Sequence, residues 1–169
     1  VTVRIETTVE MDGFIGHMVT VDAESPVAVD GVRLRLPFDR RTSRYFMHHA
    51  ERTIDQISHN TDFGRTPDDE WSYPIERFEL LWLGSCKAGL CLRVPPDQPA
   101  WINDGKGKVT RTSRKHGSTI TVDTGPMVID GQKTFAFELY ATPFKPLSRN
   151  NWNMRHYHES YASDPDIAK

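Results

Sequence analysis

The chain has 169 residues, enough for one domain with a hydrophobic core of its own. Its net charge of −2 and its pI near 6.4 give no electrostatic reason to expect nucleic acid as a partner. No apolar run approaches the roughly 20 residues that cross a bilayer, so we expect no membrane partner. The 11 prolines, 11 glycines and many Thr and Val residues favour strands and turns over helices.

Apolar and polar residues alternate with a period of two along much of the chain, which is typical of half-buried strands. The first predicted strand, residues 1–9, turns at Gly13 into a second, and a loop containing Pro26 follows it. Pro37 ends the third strand or places it at a sheet edge. The dipeptide Asp130-Gly131 predicts a hairpin turn. Outside the central hairpin, the predicted strands are residues 1–9, 14–21, 29–38, 45–47, 109–111, 118–124, 127–129 and 134–142.

Residues 78–92 form the centre of this pattern. Two short apolar runs, residues 80–83 and 90–92, flank a segment rich in glycine and predict two buried strands joined by a tight turn. Trp82 lies within the first run and is expected in the core. Cys86 and Cys91 either face each other across this hairpin or remain two free, half-buried thiols, and the second alternative is preferred. Cys-x4-Cys without a second pair argues against a zinc site.

Residues 48–73 lack strong apolar alternation and predict a long irregular loop of the kind that often serves binding or an interface. The resulting fold class is all-β: an antiparallel β-sandwich of about ten short strands, with one long irregular loop and a C-terminal linker. We expect the sandwich over residues 1–147 and a tail or linker over residues 148–169. The chain begins without Met, so it is expected to be processed or cut from a longer protein.

Aromatic residues in polar surroundings are the main candidates for carbohydrate or interface contacts, because indole and phenol rings combine apolar faces with a polar group. They are Trp71, Trp101, Phe144, Trp152 and Tyr157.

His156 and His158 are weak candidates for metal ligands, since residues i and i+2 of a strand share a face, but a third ligand would have to come from the long loop. The adjacent acids Asp68, Asp69 and Glu70 are interpreted as solvated surface rather than as a catalytic pair. We assign no catalytic residue and expect no cofactor.

Five segments occur here in one familiar order: Met-Asp-Gly-Phe-Ile-Gly at 11–16, Val-Arg-Leu-Arg-Leu-Pro at 32–37, Trp-Leu-Gly at 82–84, Gly-Leu-Cys at 89–91 and Phe-Glu-Leu-Tyr-Ala-Thr-Pro-Phe-Lys-Pro-Leu at 137–147. In this order the chain resembles the N-terminal, non-catalytic β-sandwich that precedes the barrel in glycoside hydrolase family 123-like proteins. The resemblance implies a parent enzyme whose (β/α)8 barrel carries an adjacent Asp–Glu pair and cleaves N-acetylhexosaminides with help from the substrate's acetamido group. It also implies that this barrel is the partner of the present chain.

The sequence therefore predicts a non-catalytic module that packs against and supports a catalytic barrel of the same parent protein. Two alternatives remain open. One is an autonomous carbohydrate-binding domain that uses Trp71, Trp101 and the long loop as a platform for a glycan. The other is a metal-dependent enzyme built on His156 and His158.

Overall fold

A computed structural model describes residues 1–11, 13–50, 60–85, 87–95 and 97–142, of which 49, 50 and 60–63 are described by their backbone alone. Eleven strands and two short helical segments follow one another in this part of the chain: β1 (Thr2–Val9), β2 (Phe14–Val29), β3 (Arg33–Asp39), β4 (Tyr45–Ala50), β5 (Asn60–Arg65), β6 (Glu70–Pro74), a 3-10 turn (Ile75–Arg77), β7 (Phe78–Gly84), β8 (Gly89–Arg93), α1 (Pro99–Ile102), β9 (Lys108–Arg114), β10 (Gly117–Asp123) and β11 (Met127–Thr142). No helix among the described residues is long and apolar enough to cross a membrane.

The strands form two antiparallel sheets, a wide one in the order β1-β2-β11-β8-β7-β4-β5 and a narrow one in the order β3-β10-β9-β6. The predicted all-β sandwich is confirmed. Its core lies between the sheets, where alternate residues of facing strands are fully buried, among them Leu81 and Leu83 of β7 and Ile120 and Val122 of β10. Each such side chain contributes about 1.5–3 kcal/mol by leaving water.

The central hairpin of β7 and β8 is confirmed, whereas two predicted interruptions are wrong. The loop at residues 23–27 and the turn at Asp130-Gly131 both lie inside 16-residue strands, β2 and β11, which pair along their length. Their register shifts between the pairs Ile129–Val27 and Gly131–Ala23, so the turn signals mark a β-bulge. A bulge accommodates Pro26, which cannot donate to the ladder, and Gly131 supplies the positive φ of 60°.

The predicted loop at residues 48–73 is also corrected. It contains the end of β4, the whole of β5 and all of β6 except Pro74, while residues 51–59 lie outside the described part of the chain. β5 and β6 are edge strands, one on each sheet. An edge strand is hydrogen-bonded on one side only and is solvated on the other, so it tolerates a polar composition. This polar composition is why β5 and β6 were predicted as part of a loop.

Strand β1 was correctly predicted as a strand and wrongly as half-buried, since all its residues are exposed. Val3 is 56% exposed, Ile5 63% and Val9 69%. β1 forms the edge of a seven-stranded sheet that faces only four strands, so the narrow sheet does not reach far enough to cover it. Pro37 lies in β3, the other edge strand of the narrow sheet, which agrees with one of the two positions predicted for this proline.

Candidate functional site

A row of apolar and aromatic side chains crosses five strands on the outer face of the wide sheet, opposite the core. Strand register places the residues directly beside one another, from β4 through β7, β8 and β11 to β2. We call these residues the outer row: Met47, Trp82, Cys91, Tyr140 and Phe14. At one end of the row the rings of Phe14 and Tyr140 meet edge to face with their centroids 5.1 Å apart. At the other end Met47 is 37% exposed.

Trp82 is the largest residue of this row, and its indole lies over a second row of small residues. That second row pairs Gly84 with Gly89 and Gly89 with Thr142. A Cβ atom on Gly84 would stand 2.1 Å from Trp82 Cζ2, and one on Gly89 would stand 2.6 Å from Trp82 Nε1. The two glycines therefore provide the space for the indole ring, and Trp82 Nε1 donates a hydrogen bond of 2.8 Å to Thr142 Oγ1.

The expectation that Trp82 belongs to the core is corrected by this geometry. Its neighbours Leu81 and Leu83 point inward and are fully buried, so the intervening Trp82 must point outward, where it is half-buried. It lines a groove of about 710 Å³ on the outer face. The groove is mostly apolar and is lined by Tyr45, Phe46, Met47, Gly64, Trp82, Ser85, Cys91 and Thr142.

An ion pair borders the outer row on the next line of residues. Arg93 Nη1 donates to Glu138 Oε2 at 2.6 Å, and this bond raises the pKa of Arg93. Cys91 is a free thiol, and burial raises its pKa to about 11. Thiolate is the reactive form of cysteine, so a raised pKa makes Cys91 a packing residue rather than a nucleophile. Cys86, its predicted neighbour in the hairpin, lies outside the described residues.

Trp101 is not available as a surface platform, contrary to the expectation from sequence. The short helix α1 carries it into the core, where it is only 2% exposed. Its Nε1 donates to the carbonyl oxygen of Ala136 at 2.9 Å, and its ring meets Phe135 edge to face with centroids 5.0 Å apart. Many of the residues around it in the sequence are polar, and for this reason Trp101 was predicted at the surface, whereas tertiary packing buries it.

Trp71 lies on β6 and is half-buried. Its ring is 4.5 Å from that of His48 and 5.6 Å from that of Tyr73, centroid to centroid, and the Tyr73 ring is nearly parallel to it. His48 belongs to the wide sheet and Trp71 to the narrow one, so these rings join the two sheets. Trp71 and Trp101 therefore sit in separate surroundings and do not form one platform.

A family model for the third domain of glycoside hydrolase 123 matches residues 1–143. The chain belongs to this family. The family predicted from the motifs is thus confirmed. The family model represents the third domain, whereas the resemblance placed this domain at the N-terminus. No curated protein and no solved structure matches the chain. The outer row lies entirely within the matched range of this glycoside hydrolase 123 domain.

The remaining candidates of this glycoside hydrolase 123 domain fall at the C-terminus, outside the described residues. They are Phe144, Trp152, Tyr157, His156 and His158. Among the residues that the structure describes, no group of three or more His, Cys, Asp or Glu side chains is placed to hold a metal ion.

The three adjacent acids of the glycoside hydrolase 123 domain have different surroundings. Asp68 and Glu70 are exposed, as expected of solvated carboxylates. Asp69 also accepts a 2.6 Å hydrogen bond at Oδ1 from Nη2 of Arg111, whose side chain is buried. The guanidinium carbon of Arg111 lies 4.6 Å from the centre of the Phe46 ring. Asp69 therefore compensates a charge within the sandwich.

Proposed function

We propose that this domain is a non-catalytic module of a glycoside hydrolase that acts on N-acetylhexosaminides, and that it packs against the enzyme's catalytic barrel through the outer row. The proposal is supported above all by Trp82, a half-buried indole on an apolar outer face of a glycoside hydrolase 123 domain. The groove beside it, about 710 Å³ in volume, offers room for a side chain from a neighbouring domain.

The chemistry of this face suits a contact between domains. Tryptophan, tyrosine and methionine are enriched at protein interfaces, where their apolar surface is buried while a polar atom keeps a partner. Trp82 already satisfies its N–H through Thr142, so a neighbouring domain can cover the ring without leaving a buried donor unpaired. The Arg93–Glu138 pair then forms part of a polar rim. Contacts between domains of one chain commonly bury about 600–1,500 Å².

The course of the chain supports the same face. Thr142, the last described residue, accepts a hydrogen bond from Trp82, so the described part of the chain ends beside the outer row. We propose that residues 148–169 are the segment that leads to the next domain. Phe144, Trp152 and Tyr157 would then add to the contact as anchors.

The interface is tested in the enzyme that contains this domain by replacing Trp82 with Asp. A buried carboxylate without a partner disfavours docking, so calorimetry should show one coupled unfolding transition dividing into two. Val128→Asp is the matched control, because Val128 is an exposed apolar residue of the same sheet, 51% exposed, and lies outside the outer row. If both variants leave a single transition, the outer row is not the interface.

The absence of catalysis is tested on this chain alone. We expect no hydrolysis of an aryl N-acetylhexosaminide above a heat-inactivated control. Turnover that co-purifies with the chain and persists in the presence of a chelator would contradict the proposal.

A further inference from the structure

A polar cavity of about 350 Å³ opens at one end of the sandwich, between the two sheets. Three connections form it: the β3–β4 turn, the β5–β6 segment and the β9–β10 hairpin. Its volume is at the lower end of the range for small-molecule sites. We call it the arginine cavity, and it is lined by Arg40, Ser43, Arg44, Arg65, Thr66, Asp68, Ser113, Arg114, Gly117 and Ser118.

The lining carries a strong local excess of positive charge. Four arginines and one aspartate face the cavity, although the chain as a whole has a net charge of −2. None of these four guanidinium groups forms an ion pair with another described residue, whereas Arg33, Arg93 and Arg111 all do. Four like charges around a small volume repel one another, so an anion in the cavity would lower the electrostatic energy.

Two of the arginines are held in place without being neutralised. Arg40 Nη1 donates to the carbonyl oxygen of Lys115 at 2.7 Å, and Arg114 Nη1 donates to the carbonyl oxygens of Ser113 at 2.9 Å and Asp69 at 3.4 Å. A carbonyl orients a guanidinium group but carries no net charge. Each guanidinium has five N–H donors, so most of them remain for a ligand.

Buried hydroxyl groups add further donors. Ser118 Oγ donates to Ser113 Oγ at 3.0 Å, and both side chains are more than nine-tenths buried. Ser113 Oγ thereby accepts a bond and keeps its own proton to donate. Thr66 Oγ1 is buried and has no hydrogen-bond partner. A buried hydroxyl without a partner is unfavourable, and an acceptor in the cavity would satisfy it.

We propose that the arginine cavity binds the anionic group of a glycan, a sulfate ester or a carboxylate. Guanidinium groups pair with the oxygens of both by two parallel hydrogen bonds, and the surrounding hydroxyls are suited to the same oxygens. The geometry accounts for the anion, while the assignment to a glycan rests on the function proposed above. The site shares no residue with the outer row, so the two proposals can fail separately.

Isothermal titration of this chain tests the site with four probes: N-acetylglucosamine 6-sulfate, glucuronate, sodium sulfate and neutral N-acetylglucosamine. At least one of the two anionic sugars should bind more tightly than sodium sulfate, and the neutral sugar should not bind. The sugar that binds identifies the source of the anion. Added salt should weaken binding by screening.

Single substitutions distinguish specific binding in the arginine cavity from non-specific electrostatic attraction of anions to the protein surface. Arg65→Gln removes one charge-assisted hydrogen bond and should weaken binding about tenfold or more. Arg35→Gln is the control, because Arg35 is an exposed arginine of β3 that does not line the cavity, and it should leave affinity unchanged. Asp68→Asn, which removes the one carboxylate of the lining, should tighten binding. Unchanged thermal unfolding would show that all three variants are folded.

The proposal would be overturned by equal weakening in the Arg65 and Arg35 variants, by equal binding of the neutral sugar, or by binding of sodium sulfate alone. Trp82→Asp should bind the anionic sugar normally. If the arginine cavity fails its tests while Trp82→Asp still separates the domains, only the cavity proposal is refuted. If the cavity binds the anionic sugar while Trp82→Asp leaves the domains packed, only the interface proposal is refuted.

Discussion

The close contact of the Trp82 indole with Gly84 and Gly89 gives a specific prediction for the substitution Gly84→Ala. The new Cβ would lie 2.1, 2.5 and 2.7 Å from three atoms of the indole, closer than any tolerated contact, so the ring must leave its position. Neither Gly84 nor Gly64 has a positive φ, so no torsional strain contributes to the effect. At Gly64, the nearest atom to an added Cβ is Phe46 Cε1 at 4.0 Å. Gly64→Ala is therefore the matched control on the same sheet.

The expected cost of Gly84→Ala follows from what the displaced indole loses. The hydrogen bond from Trp82 Nε1 to Thr142 contributes about 1 kcal/mol. Exposing about 60 Å² of the ring costs about 1.5 kcal/mol at 25 cal/mol per Å². The lower chain entropy of alanine in the unfolded state offsets about 0.4–1 kcal/mol. The free energy of unfolding should therefore fall by about 1.5–2 kcal/mol, whereas Gly64→Ala should be neutral or stabilising by the entropic amount.

Denaturant titration of this chain measures both variants, and a Trp82→Leu background completes a double-mutant cycle. With the indole absent, Gly84→Ala should lose its cost and behave like Gly64→Ala. If Gly84→Ala is harmless in the native background, or if its cost persists when Trp82 is leucine, the ring does not depend on the glycine and the reasoning is refuted.

Three further predictions concern the core and the titratable groups. Trp101→Ala should lower the free energy of unfolding by about 3–5 kcal/mol, because it empties a fully buried position, and denaturant titration checks this. Asp69→Asn should cost about 1.5–3 kcal/mol in the same assay, since it removes a charge-assisted hydrogen bond to the buried Arg111. The Cys91 thiol has a pKa of about 11, above its unfolded value, so the folded state holds its proton longer and stability should fall as pH rises from about 8.5 to 11. In a Cys86→Ser background, Cys91→Ala should flatten that dependence in unfolding curves recorded across this pH range.

Alternation of apolar residues predicted the fold class and most strands, because burial along β3 and β10 follows a strict period of two. It failed where a local signal has two physical meanings. A Gly or Pro in a strand sequence marks either a turn or a bulge, and only the pairing of β2 with β11 decides between them at Pro26 and Gly131.

The candidate sites were harder to predict because they depend on residues far apart in the chain. Trp101 looks exposed in a window rich in Pro, Asp and Gln, yet α1 turns it onto Phe135. The arginine cavity combines three connections, and none of Arg40, Arg65 and Arg114 has a neighbour in sequence that marks it as part of a site. Charge clusters of this kind become visible only when the fold brings the connections to one end of the sandwich.

The sequence contains one sign of the outer row, the uninterrupted apolar run at residues 80–83, which was first interpreted as a strand of the core. A strand that is covered on one face alternates, whereas residues 80–83 are apolar at every position, a pattern typical of strands buried on both faces. The narrow sheet covers Leu81 and Leu83, while the other side of β7, with Trp82, stays partly exposed in the described chain. Burial on both faces would require a further body on the outer side. A domain that its family numbers as the third of an enzyme has other domains of the same protein as its context, and we propose that one of them packs on this uninterrupted apolar run.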